Sequence, residues 1–445
     1  AFFGRLTYDF DKRYFLTASL RHEGSTKFGT DNKWGNFPAL SAGWLLSEER
    51  FMDATSGWLN SLKLRADYGV TGNQDFASYQ SLLTYGGYGY YPFNGTTYQD
   101  FGPSQNVNPY LRWEKAINFN VGLDFALLKN RISGSVNYYT RKNQDLLGDY
   151  NVPVPPNLQT QTYVNVGTMN NSGIEVQVQG YVVRNNKFSY SITLAGNTNN
   201  NKFISFSNEV YNGGTYQDGV GMPAPGSPGN LERLEEGKRI GSFYTLHAAG
   251  VDNTGGLLVY SAKNQVIPAT QASDVDRRFV GNGLPRFMAS MGNSFTYGKW
   301  DLGIFLRGQF GYKVFNIYGF YLGTPAQQTN VNLLTSAYDG GKYSKLTNPK
   351  TAAILSDYFL EPGDFVKVDN VSLGFTQRFD SKYLHSVRIY ATGRNLHTFT
   401  KYKGGDPDGV PVNGLWPGVN NSAGAGTLSY YPSALQLLLG LQVQF

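Results

Sequence analysis

Apolar and polar residues alternate with a period of two through this chain, in segments longer than the strands of soluble sheets. Between residues 114 and 128, Ile117, Phe119, Val121, Leu123, Phe125 and Leu127 fall on one face and Asn118, Asn120, Gly122, Asp124 and Ala126 on the other. That is the pattern of a strand with one apolar and one wetted side. Ile132, Gly134, Val136 and Tyr138 then alternate with Ser133, Ser135, Asn137 and Tyr139; only Lys129-Asn130-Arg131 separates the two runs, which together read as a hairpin. Comparable segments lie near residues 2–10, 13–23, 37–46, 61–70, 162–182, 187–200, 284–298, 300–312, 364–378, 385–395 and 434–445. The total is about thirteen strands. Their usual length, nearer about ten residues than the five or six of soluble sheets, matches the roughly 9 to 11 residues that a tilted strand needs to cross a bilayer. The expected fold class is all-β, a transmembrane antiparallel β-barrel.

The connections point the same way. Tight ones are expected at Asp11-Lys12, Lys129-Asn130, Arg184 to Lys187, Gly298-Lys299 and Asp380 to Lys382. Long ones, rich in Gly, Asn, Pro and Tyr, fill residues 71–113, 143–161, 201–283, 313–363 and 396–433. Short turns on one side and long loops on the other describe outer-membrane barrels, with the turns periplasmic. The connection at 47–60 breaks the rule mildly, being periplasmic by parity yet longer.

The last strand sets Leu435, Leu437, Leu439, Leu441, Val443 and the terminal Phe445 against Gln436, Gly440, Gln442 and Gln444. A final alternating strand closing on Phe445 resembles the assembly signal of outer-membrane barrel proteins; the alternative is a plain hydrophobic edge strand. With a periplasmic C-terminus and about thirteen alternating strands, residue 1 is expected on the outer side. Bacterial single-chain barrels have even strand numbers, so at least one upstream strand is expected to be missing. Residues 1–445 are expected to be the C-terminal part of one transmembrane β-barrel domain. Ala1 to Arg5 show neither the basic nor the apolar region of a signal peptide, so a mature, processed or truncated chain is expected.

Composition excludes several function classes. With 32 Tyr, 29 Phe, 53 Gly and no Cys, the chain suits long hairpins and carries no disulfide scaffold, thiol catalysis, Cys-ligated zinc or iron–sulfur cluster. The 38 basic and 32 acidic residues are dispersed, without a Lys/Arg block that would track nucleic acid. No apolar stretch approaches the roughly 20 residues of a membrane helix.

Particular blocks resemble the C-terminal barrel half of the SusC/RagA-like family of TonB-dependent outer-membrane transporters. They are Leu59-Asn60-Ser61-Leu62-Lys63-Leu64-Arg65 with Tyr68-Gly69-Val70-Thr71-Gly72-Asn73-Gln74, then Leu111-Arg112-Trp113-Glu114 leading into Asn120-Val121-Gly122-Leu123-Asp124. Asn165-Val166-Gly167 with Asn171-Ser172-Gly173-Ile174-Glu175 follows, then Pro362-Gly363-Asp364-Phe365-Val366-Lys367 with Val371-Ser372-Leu373-Gly374. The closing block runs from Arg394-Asn395-Leu396 through Thr400-Lys401-Tyr402-Lys403-Gly404 to Asp406-Pro407. The resemblance covers nearly the whole chain, and the shared order is what makes it specific. It implies a 22-stranded barrel filled by an N-terminal plug, of which this chain would supply roughly strands 10 to 22. It further implies import of oligosaccharide, or else peptide, under a SusD-like lipoprotein lid, driven by the TonB complex through the N-terminal part that has no counterpart here. Outer-membrane lipids would surround the wall.

No cofactor, metal or catalytic residue is expected. The four histidines, His22, His247, His385 and His397, have no metal or nucleophile spacing. Asp406 and Asp408 within Gly405 to Gly409 suggest a calcium loop, but other ligand positions are missing. Glu48-Glu49 and Glu235-Glu236 are adjacent pairs whose members point to opposite faces of a strand, unlike an acid/base pair. Arg65, Asp67, Asp124 and Arg307 are expected to face the lumen, pairing structurally or lining a substrate path. Tyr8, Phe10, Tyr14, Tyr297 and Trp300 are expected in the interfacial girdle. Tyr88, Tyr90, Tyr91, Phe93, Tyr98 and Phe101, in a Gly-rich outer loop, offer flat faces for stacking on sugars or peptide side chains, or else pack on themselves or a lid. Rival readings are a stand-alone porin or barrel anchor, a barrel hydrolase using His247 or His397, and a soluble carbohydrate-binding protein.

Overall fold

Each alternating segment forms one long strand, because only an extended backbone sends successive side chains to opposite faces. The computed structural model describes residues 1–208, 214–219, 221–222, 228–326, 332–412, 414–419 and 433–445; the remaining parts of the expected long loops lie outside the described residues. It divides into two units, one of Ala1–Asn130, Ser135–Ile174 and Asn201–Thr215, the other of Arg131–Gly134, Glu175–Asn200 and Tyr216–Phe445.

In the first unit six strands follow in chain order, β1 (Phe2–Phe10), β2 (Tyr14–Gly24), β3 (Trp34–Leu45), β4 (Leu59–Asn73), β5 (Glu114–Leu127) and β6 (Ile132–Gln144, its first residues in the second unit). The described part of the second contains β7 (Thr168–Arg184, its first residues in the first unit), β8 (Phe188–Thr198), β9 (Phe287–Tyr297), β10 (Trp300–Phe310), β11 (Phe365–Arg378), β12 (Ser386–Thr400) and β13 (Gln436–Gln444), again in chain order. Six and seven long strands match the expected thirteen. Every described pairing within these ladders is antiparallel.

Register carries the sequence alternation across the strands. In the first unit Leu6, Ala18, Leu40, Tyr68 and Phe119 face one another in a single apolar row, and the neighbouring row is Thr7, Thr17, Ser41, Asp67 and Asn120. In the second, Tyr190, Phe295, Leu302, Leu373, Ala391 and Leu439 form an apolar row beside Ser189, Thr296, Asp301, Gly374, Tyr390 and Gly440. A slip of one residue would exchange the faces of a whole strand, so the register is strongly set.

Tight turns fall where expected. Asp11 and Lys12 both adopt φ +53, and the Arg13 N–H donates to Phe10 O at 3.1 Å, the primed geometry that matches strand twist. Residues 162–182 do not form one strand as expected. Gln161–Asn165 pairs with Leu147–Asn151, and β7 begins only after Gly167, whose φ of +112 breaks the extended run.

The long connections are also more ordered than a loop composition suggests. Tyr85–Phe93 and Thr96–Pro103 pair as a hairpin turning at Asn94 and Gly95, both at positive φ. In the second unit the connections contain short sheets and the helix Ile317–Leu322, capped by the Asn316 side chain accepting from Gly319 N. Phe243, Phe315, Ile317, Leu346 and Phe359 are completely buried in the core they form. No described helix is long and apolar enough to cross a membrane, which leaves strands unaddressed.

Candidate functional site

On the apolar face, large side chains stay exposed at levels that water does not favour. Phe2, Leu6, Tyr8 and Phe10 of β1 are 55–72 % exposed, and Leu437, Leu439 and Leu441 of β13 are 65–80 % exposed. Aromatic rings close this face at the turn end of the first unit: Tyr8, Phe10, Tyr14 and Trp44 stand in a chain with centroids 6.3–6.5 Å apart. Tyr14 Oη and Trp44 Nε1 both donate to Glu49 Oε1, at 2.5 and 3.0 Å, which ties the rim to the 46–58 connection. At the far end Trp34 lies 6.5 Å from Phe2 and stacks on His22 at 4.6 Å. The nine residues of β1 between the rims span about 26 Å along the strand and about 20 Å when tilted by about 40°, close to the apolar band of membrane barrels. In the second unit Tyr297 and Trp300 face one another across the β9–β10 turn, and Trp300 lies 4.9 Å from Phe375.

The polar face carries charge that is paired flat against the sheet. Arg65 donates from Nε and Nη2 to both oxygens of Asp124, at 2.6 and 2.8 Å, and from Nη2 to Asn137 Oδ1 at 3.0 Å. The guanidinium crosses Gly122, where an added Cβ would come within 2.3 Å of Asn137 Oδ1. Asp67 lies two residues along the same strand, in a hollow of about 370 Å³ lined by Arg5, Ser19, Ser41 and Asn120 among others.

Arg307 and Lys367 are direct ladder partners, two cations side by side. Like charges in that relation repel. The repulsion is relieved from the 401–435 connection: Asp408 accepts from both Arg307 Nη atoms at 2.7 and 2.5 Å and from Lys367 Nζ at 2.9 Å, while Asp406 accepts from Lys367 at 3.2 Å. Asp369 adds a contact to Arg307 Nε at 3.3 Å. The two aspartates that suggested a calcium loop are thus held by an arginine and a lysine. Burial alone would raise the Asp408 carboxyl, but the Arg307 and Lys367 hydrogen bonds override it and hold it below the usual range.

The six loop aromatics come together only in part. Tyr88, Tyr90, Tyr91, Phe93, Tyr98 and Phe101 all stand 45–74 % exposed on the 85–103 hairpin. Tyr91 faces Tyr98 at 5.8 Å, Phe93 lies 6.5 Å from Tyr98, and the Tyr88 ring covers Gly102, so these four share a face. Tyr90 and Phe101 belong to the opposite face by register.

Sequence reasoning missed the groups that shape the loops. Buried Asn106 donates to Gln159 O, Gln161 O and Thr162 Oγ1 and accepts from Leu158 N and Gln159 N. Asn165 clamps Arg112 through its N–H and carbonyl and also reaches Asp145 O. Buried Glu361 accepts from Asn316 Nδ2, Tyr343 Oη and Lys403 N. Burial, with the Glu361 charge beside it, pushes the Tyr343 phenol far up. Of the histidines, His247 contacts Asp357 at 2.6 Å and stacks on Tyr260, and His397 packs edge-on against Phe399. Among the described residues no group of three or more His, Asp or Glu is placed to hold a metal.

Comparison with known proteins matches this geometry. The chain is 30 % identical over 479 residues to the TonB-dependent receptor SusC of Bacteroides thetaiotaomicron, covering all of this chain and 43 % of the relative. It is 28 % identical over 499 residues to TonB-dependent receptor P39 of Formosa agariphila, covering all of this chain and 46 % of that protein. The chain thus spans less than half the length of these relatives. The fold superposes on the RagAB peptide importer in its closed-closed state with a TM-score of 0.80 at 23 % identity, over all of this chain and 47 % of that one. Residues 1–396 match the family model described as TonB dependent receptor-like, beta-barrel, and the chain belongs to that family.

Proposed function

We propose that this chain is the C-terminal part of one outer-membrane β-barrel domain, the wall of an importer that draws its energy through TonB. The observation that carries the reading is the two-faced sheet in a member of this family. One face is apolar and rimmed by aromatic rings, suited to outer-membrane lipid; the other is polar, with its wall charges paired. On this reading Arg65, Asp67, Asp124 and Arg307 face the lumen or the plug. The tight turns and the C-terminus are periplasmic, and Phe445, 81 % exposed, serves barrel assembly. A 22-stranded barrel with an N-terminal plug would be completed by sequence upstream of this chain.

The cargo is an oligosaccharide, or a peptide of similar size, received with a SusD-like surface lipoprotein. Tyr88, Tyr91, Phe93 and Tyr98 on one exposed face suit the flat faces of sugars. The chain contributes binding and passage and no catalysis. Uptake of fluorescently labelled oligosaccharides by cells, with and without the full-length gene, tests the reading. Uptake should vanish on deletion, on loss of TonB and on collapse of the proton gradient. Uptake that persists without TonB would turn the reading to a porin.

A further inference from the structure

Arg65, Arg307 and Arg388 on the polar face are each matched to a carboxylate. A pocket of about 540 Å³ in the second unit departs from that pattern. Lys238, Arg239, Arg286 and Lys313 line it, with Asp364 as its one carboxylate and Tyr312 on its wall. Asp364 is already engaged, accepting from Gly311 N at 2.7 Å. None of the four cations forms an ion pair among the described residues. Lys313 Nζ donates to Val280 O at 2.8 Å, and Lys238 lies over the Phe279 ring at 5.1 Å.

Arg239 has only long contacts, from Nη2 to Asn199 O at 3.4 Å and Leu284 O at 3.5 Å, and its Nε and Nη1 are buried without a partner. Burial, and then the charge of Arg286, pull the Arg239 guanidinium below its ordinary range. The Tyr312 hydroxyl is likewise buried without a hydrogen bond among the described residues. A guanidinium kept partly dry with unmet donors, next to a second cation, is a costly arrangement unless an anion completes it. A concave site lined by one sign of charge also focuses its field on an incoming ligand. Arg286 immediately precedes β9, Lys313 follows β10 after two residues and Asp364 immediately precedes β11, so the long-connection ends of three wall strands hold the pocket.

We propose that this pocket binds an oxyanion, a carboxylate or sulfate group, and that the group is carried on the imported cargo, which is therefore acidic. The second half of that statement rests on the import reading; the first does not.

Binding to the purified full-length receptor in detergent and low-chloride buffer tests both without transport. The probes are sodium glucuronate, sodium sulfate and, as a neutral control, glucose, followed by calorimetry. Wild-type receptor should bind glucuronate saturably and glucose not at all. Binding should weaken at least 10-fold in the Arg239→Gln/Arg286→Gln double variant and less than that in the Arg239→Lys/Arg286→Lys variant, since lysine keeps the charge but not the planar donor fork. Heat-modifiable mobility on gels verifies that each variant is folded. Sulfate binding without glucuronate binding would support a site for sulfate groups and overturn one for carboxylates. No binding of either anion by folded wild type, or equal binding by the folded glutamine variant, would overturn the site itself, whatever uptake assays say about import.

Discussion

Lys367 Nζ lies 2.9 Å from Asp408 Oδ2, and the lysine side chain is 1 % exposed although it springs from the polar face of β11. A loop carboxylate, not solvent, therefore completes the wall at this point. The consequence can be read against pH. Asp408, on the loop, has its carboxyl held below the usual range by Arg307 and Lys367 against the opposing effect of burial. A carboxyl with a depressed folded pKa adds stability above its unfolded value of about 3.9, and the contribution is lost as pH falls through the folded value. Residues 401–412 are expected to stay docked on β10 and β11 at neutral pH and to lose this stabilisation progressively as pH falls from about 4 through the folded value. Hydrogen exchange of that segment, corrected for intrinsic rates, should show more protection at pH 7 than at pH 2. Equal protection at both would refute the tether.

Gly374 makes room for a second pairing. Arg388 reaches over β11 to Asp301, with Nη2 to Oδ2 at 2.6 Å and Nε to Oδ1 at 3.2 Å, and a Cβ at Gly374 would sit 2.6 Å from both Arg388 Nη2 and Asp301 Oδ1. Two opposed effects follow from Gly374→Ala. It displaces a partly exposed pair worth about 0.2–1 kcal/mol plus the strain of the conflict, and it stiffens the unfolded chain by about 0.4–1 kcal/mol. In wild type the loss should win by about 1 kcal/mol. In an Asp301→Ala/Arg388→Ala background, where the atoms that crowd Gly374 are gone, the sign should reverse, because only the entropic gain remains. Urea unfolding in detergent of the four proteins of this cycle measures the coupling; additive effects would mean that the glycine and the ion pair are unrelated.

The wall was legible in the sequence because its determinants are local. The alternation of Ile117 through Leu127, or of Leu435 through Phe445, needs only a period of two, and Asp11-Lys12 needs only a turn. The 85–103 hairpin was legible too, since Asn94-Gly95 between alternating aromatics is a strong turn signal; a glycine-rich composition masked it. The pairings that organise the loops were not legible. Arg307 and Asp408 are 101 residues apart, and Asn106 meets Gln159 at a separation of 53. Contacts of that separation depend on how the connections fold over one another, which no local pattern encodes. For the same reason the sequence marked Arg307 as charged and inward but not the two-cation, two-aspartate arrangement around it.

The exposed hairpin gives a prediction tied to cargo. Tyr91→Ala and Tyr98→Ala remove rings stacked at 5.8 Å on a surface that the core does not touch. Each should leave unfolding within about 0.5 kcal/mol of wild type. Each should also weaken oligosaccharide binding by about 2- to 10-fold, the worth of one aromatic contact of about 0.5–1.5 kcal/mol. Tyr90→Ala, on the opposite face, should change binding less. Calorimetric titration of the intact receptor decides this: if Tyr90 matters as much as Tyr91, the face assignment is wrong.

The tryptophans separate membrane from core. Trp44 and Trp300 belong to the aromatic rims and Trp300 is 50 % exposed, whereas Trp113 is 3 % exposed in a cluster with Phe28, Phe37 and Leu111. Trp113 Nε1 donates to Lys33 O at 3.1 Å, so that ring is held inside the protein by a hydrogen bond as well as by packing. An indole at the lipid headgroup level lies within reach of a bromine placed high on an acyl chain, and one sealed in a protein core does not. In receptors retaining a single tryptophan and reconstituted into bilayers, shallow brominated lipid should quench Trp44 and Trp300 strongly and Trp113 little. A lipid brominated near the bilayer centre should quench both rim residues less than the shallow one does. Equal quenching of Trp113 and Trp300 would mean that the exposed apolar face is not the surface that meets lipid.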